Sequence, residues 1–287
     1  MNGTDKRRAR RAFDQAAASY DKVARLQLEM GERLLGRLDY IRIEPRTILD
    51  IGAGTGMMAE RLARRYPKAK VLAADFAHGM LLRARRRGPL FRKPRCLCAD
   101  AERLPLTNGC VDLIISNAML QWCDDPARVF SEWLPVLRPG GLLMFTSFGP
   151  DTLKELRSAW AAVDGLPHVS RFFDMHELGD ALLGIGWEGA VMDIDRFTLT
   201  YADAGQLMRD IKSLGASNAA TGRHPGLTGK DRMRAMIESY EPFRQDGLLP
   251  ASYEVIYGHA WAPAQRRIGN VAQIPLTGLA DRQRHGG

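Results

Sequence analysis

The residues with the clearest chemical purpose lie at 49–56, where Leu49-Asp50-Ile51 runs into Gly52-Ala53-Gly54-Thr55-Gly56. Glycines between an apolar strand and a helix let the backbone approach a ligand closely. Two common guests are disfavoured. A dinucleotide fingerprint needs glycine where Met57 stands, and a phosphate loop needs a Gly-Lys-Ser/Thr ending that is absent. Asp75 ends the next apolar run, 21 residues after Gly54, with Phe76 beside it. A carboxylate there accepts both ribose hydroxyl protons better than a neutral side chain does. Asp100-Ala101 and Asn117 close two further apolar runs. Any one of these positions is explicable as a strand-end cap or a surface polar residue. The ordered series is not.

The elements that must position these residues alternate along the chain. Residues 5–40 carry apolar positions at helical spacing, and Pro45 ends the pattern. Strands are expected at 47–51, 70–75, 95–99, 111–116 and 142–147, with helices at 57–65, 80–87 and 126–137 between them. Such alternation means a parallel sheet with helices on both faces, and ligands bind at the carboxyl ends of its strands. Thr152 and Glu155 have capping-box spacing for the following helix. A helix at 174–184 leads to a strand at about 189–200. The expected organisation is a helical cover over 1–45, a core over 46–202, a helical lid insert over 203–252, a last strand over 253–261 and a fraying tail over 262–287.

Composition narrows the class. The chain has 287 residues, 45% hydrophobic and 26% charged, which excludes bulk disorder and fibrous repeats. No stretch approaches the ~18 apolar residues of a membrane span, and the basic N-terminus has no apolar segment behind it. Cys96, Cys98, Cys110 and Cys123 form neither a zinc pattern nor a disulfide framework. They read as reduced core thiols of a cytoplasmic protein. The net charge of +8 favours an anionic partner. The excess is local, at Lys6, Arg7, Arg8, Arg10 and Arg11, and again between Arg83 and Arg95.

The GxGxG loop, preceded by an acid and an apolar residue, resembles motif I of the class I S-adenosylmethionine-dependent methyltransferases. More specific segments resemble the malonyl-[acyl-carrier protein] O-methyltransferases of biotin synthesis. They include Phe13-Asp14-Gln15-Ala16-Ala17-Ala18-Ser19-Tyr20-Asp21, Gln121-Trp122, and Phe148-Gly149-Pro150-Asp151-Thr152-Leu153. His168-Val169-Ser170-Arg171-Phe172-Phe173 and Leu214-Gly215-Ala216-Ser217-Asn218 belong to the same likeness, which runs from about residue 8 to 262. It implies an α/β Rossmann-like fold with a seven-stranded, mostly parallel sheet. It also implies S-adenosylmethionine as methyl donor, held by Asp50, Gly52, Ala53, Gly54, Gly56, Asp75, Phe76, Asp100, Ala101 and Asn117. Asp100 would sit near the adenine amino group.

The implied acceptor is the free carboxylate of a malonyl thioester on acyl-carrier protein, or malonyl-CoA. A carboxylate with a pKa of about 4 is already ionised at neutral pH, so no general base is required. No catalytic triad or metal cluster is evident, as that chemistry leads one to expect. By position, Tyr20, His168 and Arg171 are the candidate catalytic residues, with Arg171 preferred for the carboxylate. Trp122, Phe172, Ser217 and Asn218 are candidates for the acceptor pocket. An acidic carrier would dock on a basic patch, either 83–95 or the insert's Lys230, Arg232 and Arg234. Three other readings remain open: a methyltransferase for another small acid or a quinone, a protein hydroxylase like certain complex I assembly factors, and a nucleic-acid methyltransferase. The last lacks the Asp/Asn-Pro-Pro-Tyr/Phe segment, because Asn117-Ala118-Met119-Leu120 stands there. No role on nucleic acid or membrane is expected.

Overall fold

The computed structural model describes residues 5–216 and 229–264. Three helices open the chain: α1 (Lys6–Ala16), α2 (Tyr20–Val23) and α3 (Arg25–Arg37). Then come β1 (Thr47–Ile51), α4 (Met57–Arg65), β2 (Lys70–Asp75), α5 (His78–Ala84), β3 (Arg95–Cys98), β4 (Val111–Ser116) and α6 (Pro126–Trp133). The second half holds β5 (Leu137–Phe148), α7 (Lys154–Ala161), α8 (Met175–Ile185), β6 (Glu188–Tyr201), α9 (Ala204–Ser213), α10 (Lys230–Tyr240) and β7 (Leu249–Trp261). The seven strands form one sheet in the order β3-β2-β1-β4-β5-β7-β6. Only β7 runs antiparallel to its neighbours.

The apolar strands are buried on both faces, as a central parallel sheet requires. In β1, Ile48 joins the core beneath α3, α4 and α7, whereas Leu49 and Ile51 join the core beneath α6 and α8. The strand order reverses between β1 and β4, which opens a crevice at their carboxyl ends.

Several expected boundaries move. The long N-terminal helix breaks at residues 17–19 and at Ala24. Asp21 accepts a 2.6 Å bond from the Thr55 hydroxyl and pairs with Arg87, so tertiary bonds to the glycine loop outweigh helical continuity. Helix α6 ends at Trp133, and β5 already begins at Leu137. Pro139 is accommodated because the β4–β5 register slips there. Strand β7 begins at Leu249, inside the expected insert, because the long β6 pairs with it as far as Tyr201. Cys96 and Cys98 are exposed on the four-residue edge strand β3, Cys110 is half-buried, and only Cys123 is a core thiol. The tail beyond Ala264 lies outside the described residues.

The expected cap at Thr152 is replaced by a longer-range contact. The Thr152 hydroxyl donates to the Glu254 carbonyl at 3.0 Å and accepts from its N–H at 3.1 Å, while Glu155 accepts from the Ser252 N–H at 3.0 Å. A reciprocal capping box forms instead at Asp174 and Glu177, with bonds of 2.7 and 2.9 Å. Asp174→Ala should therefore lower unfolding free energy by about 1 kcal/mol in urea titrations, and an unchanged midpoint would contradict the capping role.

Candidate active site

A cavity of about 950 Å³ occupies the crevice and extends under α7, α9 and α10. Its floor is the glycine loop. Gly52 has φ +72°, and a Cβ there would meet the Met119 side chain at 2.5 Å. Gly54, which lines the cavity, has φ +53° and open space where a Cβ would stand. Both need glycine's left-handed freedom, and Gly54 leaves room for a guest. The loop is tied to the next strand by Asp75, which accepts from the Gly54 N–H at 2.8 Å and the Ala77 N–H at 2.7 Å.

Burial dominates the electrostatics of this floor. It pushes the Asp75 carboxyl up to about 6, against the hydrogen bonds from Ala77 and Gly54 and with help from the Asp14 charge. It also pushes Asp50 up to about 7, against the Ala59 backbone and with Asp75 adding to the effect. Asp50 does not line the cavity, and its Oδ2 lacks a hydrogen-bond partner. It therefore supports the loop from below, and a direct ligand contact is not what its placement offers. Ala53 and Gly56 also shape the loop from outside the lining. Gly56 has φ +84° at the start of α4, where a Cβ would meet Ala84 at 2.8 Å.

The other residues expected near the cofactor do line the cavity: Phe76, Asp100, Ala101 and Asn117. Asp100 receives Lys6 from α1 at 2.7 and 2.9 Å, and Lys6 also reaches Glu102 at 3.0 Å. Burial disfavours the Lys6 ammonium, but the two carboxylates outweigh it and raise its pKa. Asn117 spends its amide on the structure, donating to the Gln27 carbonyl at 2.8 Å and accepting from the Thr146 hydroxyl at 2.7 Å. It thereby joins α3 to β4 and β5 in the cavity lining.

Tyr20 lines the cavity from α2. Burial first, then the charges of Asp75 and Asp21, push its phenol well above the ordinary range. It stays neutral and can donate a hydrogen bond. Trp122 packs edge-on against Phe13 of α1 at 5.0 Å, and Phe172 against Phe148 at 5.9 Å. Both rings are cavity walls. His168 lines the cavity as well, stacked flat on Trp160 at 3.7 Å with Nε2 2.9 Å from Asp164. Asp164 also holds Arg232 of α10. Burial works against the ionised Asp164, yet Arg232, Leu166 N–H and His168 hold it down to about 2. His168 is thus committed to the wall formed with Trp160 and, through Asp164, to α10.

Arg171 departs from expectation. It does not line the cavity; its side chain is 79% exposed and paired with Glu177. The capping box at Asp174 places Glu177 on the outer surface, and Arg171 follows it there. Ser217 and Asn218 lie outside the described residues. Sequence reasoning missed Lys6, Trp160, Tyr253 and Lys212, which also line the cavity. Only the basic run at the N-terminus hinted at the first. Among the described residues no cluster of His, Cys, Asp or Glu could hold a metal ion, and no helix is long and apolar enough to cross a membrane.

Raised carboxyl pKa values set the sign of a pH effect. The unfolded value is about 4, so the native state binds more protons than the unfolded chain between about pH 4 and pH 7. Stability should fall as pH rises through that window. Asp50→Asn should make the fall shallower, by on the order of 2 kcal/mol between about pH 5 and pH 8 in urea unfolding. An unaltered slope would contradict burial of the ionised group.

The methyltransferase domain family matches residues 49–145. The malonyl-[acyl-carrier protein] O-methyltransferase of Laribacter hongkongensis (strain HLHK9) is 49% identical over 271 residues, covering 92% of this chain and 91% of that protein. The protein of the same name from Methylovorus sp. (strain MP688) is 48% identical over 268 residues, covering 91% and 90%. Among solved structures, Haemonchus contortus phosphoethanolamine N-methyltransferase 2 in complex with S-adenosyl-L-methionine superposes with a TM-score of 0.54 at 13% identity, covering 87% of this chain and 57% of that one. That likeness concerns the fold alone. Identity near one half over almost the whole of both chains shows that the chain belongs to the malonyl-[acyl-carrier protein] O-methyltransferase family, on a class I S-adenosylmethionine-dependent methyltransferase fold.

Proposed function

We propose that the chain transfers a methyl group from S-adenosylmethionine to the free carboxylate of a malonyl thioester carried by acyl-carrier protein, giving the methyl ester used in biotin synthesis. The observation that carries this reading is the continuity of one cavity with two unlike ends. One end presents Gly54, Asp75 and Asp100. The other is walled by Phe148, Trp160, Phe172, Met208 and Met233. The free thiols at Cys96, Cys98, Cys110 and Cys123 support a cytoplasmic setting.

The residues present fit the donor. The open space beside Gly54 suits a ribose, and the Asp75 carboxylate, bonded to backbone N–H groups of Gly54 and Ala77, retains lone pairs for a ribose hydroxyl. Asp100, anchored by Lys6, offers an acceptor to an adenine amino group. When bound, S-adenosylmethionine supplies an electrophilic methyl carbon on a sulfonium. The rest is the work of the chain. The acceptor oxygen arrives ionised, so no residue need take a proton from it. Tyr20, which lines the cavity within reach of the Asp75 charge, orients by donation. The apolar walls exclude water from an attack in which opposite charges cancel. A cation bonded to the acceptor oxygen would stabilise the ground state more than the transition state and slow the step. The surface position of Arg171 suits that requirement.

Tyr20→Phe should lower kcat about tenfold through loss of one orienting hydrogen bond, with the affinity for S-adenosylhomocysteine little changed. Arg171→Ala should leave both nearly intact. A Tyr20→Phe enzyme with normal turnover, or a collapse in Arg171→Ala, would reverse these assignments. The reaction itself is tested by mass spectrometry of malonyl-carrier protein after incubation with enzyme and donor. A gain of one methyl, removable by an esterase, is expected; no mass change would refute the reading.

A further inference from the structure

The cavity's charges are unevenly placed. Its lining acids, Asp75 and Asp100, both follow strands at the nucleoside end, and Asp100 is neutralised by Lys6. Three further cations line the cavity: Arg8 on α1, and Arg209 and Lys212 on α9. The two helices border the same opening, because a Cβ placed on Gly215, just past α9, would meet Ala12 and Phe13 of α1 at 3.2 Å. Among the described residues Arg8 and Lys212 have no acidic partner, and Arg209 has only a 3.9 Å contact with Asp203, both side chains being well exposed. Such an exposed pair is worth little, so all three charges are available to a guest. Arg11, three residues beyond Arg8 and exposed, extends the same flank.

The two patches expected from the sequence are placed differently, although Arg87 of the first is tied to Asp21 beside the glycine loop and to Glu60. Arg92, Lys93 and Arg95 precede or begin β3, which runs parallel to β2. They sit at the amino edge of the sheet, whereas the cavity lies at the carboxyl edge marked by Phe76 and Asp100. On α10, Arg232 is held by Asp164 and Arg234 contacts Asp231 at 3.6 Å.

We infer that Arg8, Arg209 and Lys212 form a basic collar at the cavity mouth that docks an acidic carrier protein and grips the phosphate joining its flexible arm to the protein. The inference rests on the carrier-bound substrate proposed above. Guanidinium groups suit a phosphodiester because they donate two parallel hydrogen bonds, and a neighbouring ammonium adds point charge. The arrangement also reconciles two demands on an anionic substrate. Binding energy comes from the remote phosphate and protein surface, and the reacting carboxylate passes on to the aromatic walls and the neutral Tyr20 hydroxyl that line the same cavity. Charge thus selects at the rim, and shape selects in depth.

The test compares two acceptors, malonyl-carrier protein and malonyl-pantetheine, which has the thioester but neither phosphate nor protein. In Arg209→Glu/Lys212→Glu, kcat/KM for the carrier substrate should fall at least about tenfold more than for malonyl-pantetheine, mainly through KM, and its salt dependence should flatten. Arg8→Glu should act in the same direction. Arg92→Glu/Lys93→Glu/Arg95→Glu should behave as wild type on both acceptors. Equal losses on the two acceptors would mean a merely structural role and would overturn the collar. So would a carrier-selective loss in the Arg92/Lys93/Arg95 variant. Wild-type enzyme inert towards both acceptors would instead refute the proposed reaction, a different failure.

Discussion

The carboxylate of Asp75, wedged between the Gly54 and Ala77 N–H groups, is the contact on which the site depends. It joins the turn after β1 to the turn after β2 and so sets the spacing of the cavity floor. It does this at a cost, since burial resists ionisation of both Asp75 and the neighbouring Asp50. Backbone donors offset part of that cost, and hydroxyl donors from a ribose would offset more. A buried acceptor beside an open glycine is therefore suited to a hydroxyl donor as well as serving as a joint.

Above this floor the N-terminal segment acts as a cover held by specific ties at each turn. Lys6 reaches Asp100, Asp14 accepts from the Gly79 N–H at 2.7 Å, and Asp21 reaches Thr55 and Arg87. These ties explain why α1 and α2 are separate helices. The break lets each short helix present a different residue to the cavity, Phe13 from one and Tyr20 from the other. At the far end, the pair of Asp164 with Arg232 and the stacking of His168 on Trp160 join helix α10 to the wall. The two covers meet at Ala12 and Gly215.

Much of this was legible in the sequence wherever local chemistry decides. The glycine loop, Asp75 and Asp100 stand at strand ends because short apolar runs stop there, and the runs themselves give the sheet. What was not legible depends on partners far apart in the chain. Lys6 pairs with a residue 94 positions away, and nothing near it in sequence announces Asp100. The Thr152 and Glu155 spacing suggested a cap, but both side chains bond to β7 instead, a choice visible only once the strands have paired. Arg171 matched its motif, yet a capping glutamate six residues on draws it to the surface. Cys96 and Cys98 alternate like core residues, and only the edge position of β3 reveals that their face is uncovered.

Calorimetric titration of S-adenosylhomocysteine into the wild-type protein and into Asp75→Asn probes the central contact most directly. Saturable binding at one site is expected in the wild type, stronger above than below about pH 6, and at least about tenfold weaker in the variant with that pH dependence lost. Equal affinity in the two proteins, or no heat of binding in either, would contradict this expectation.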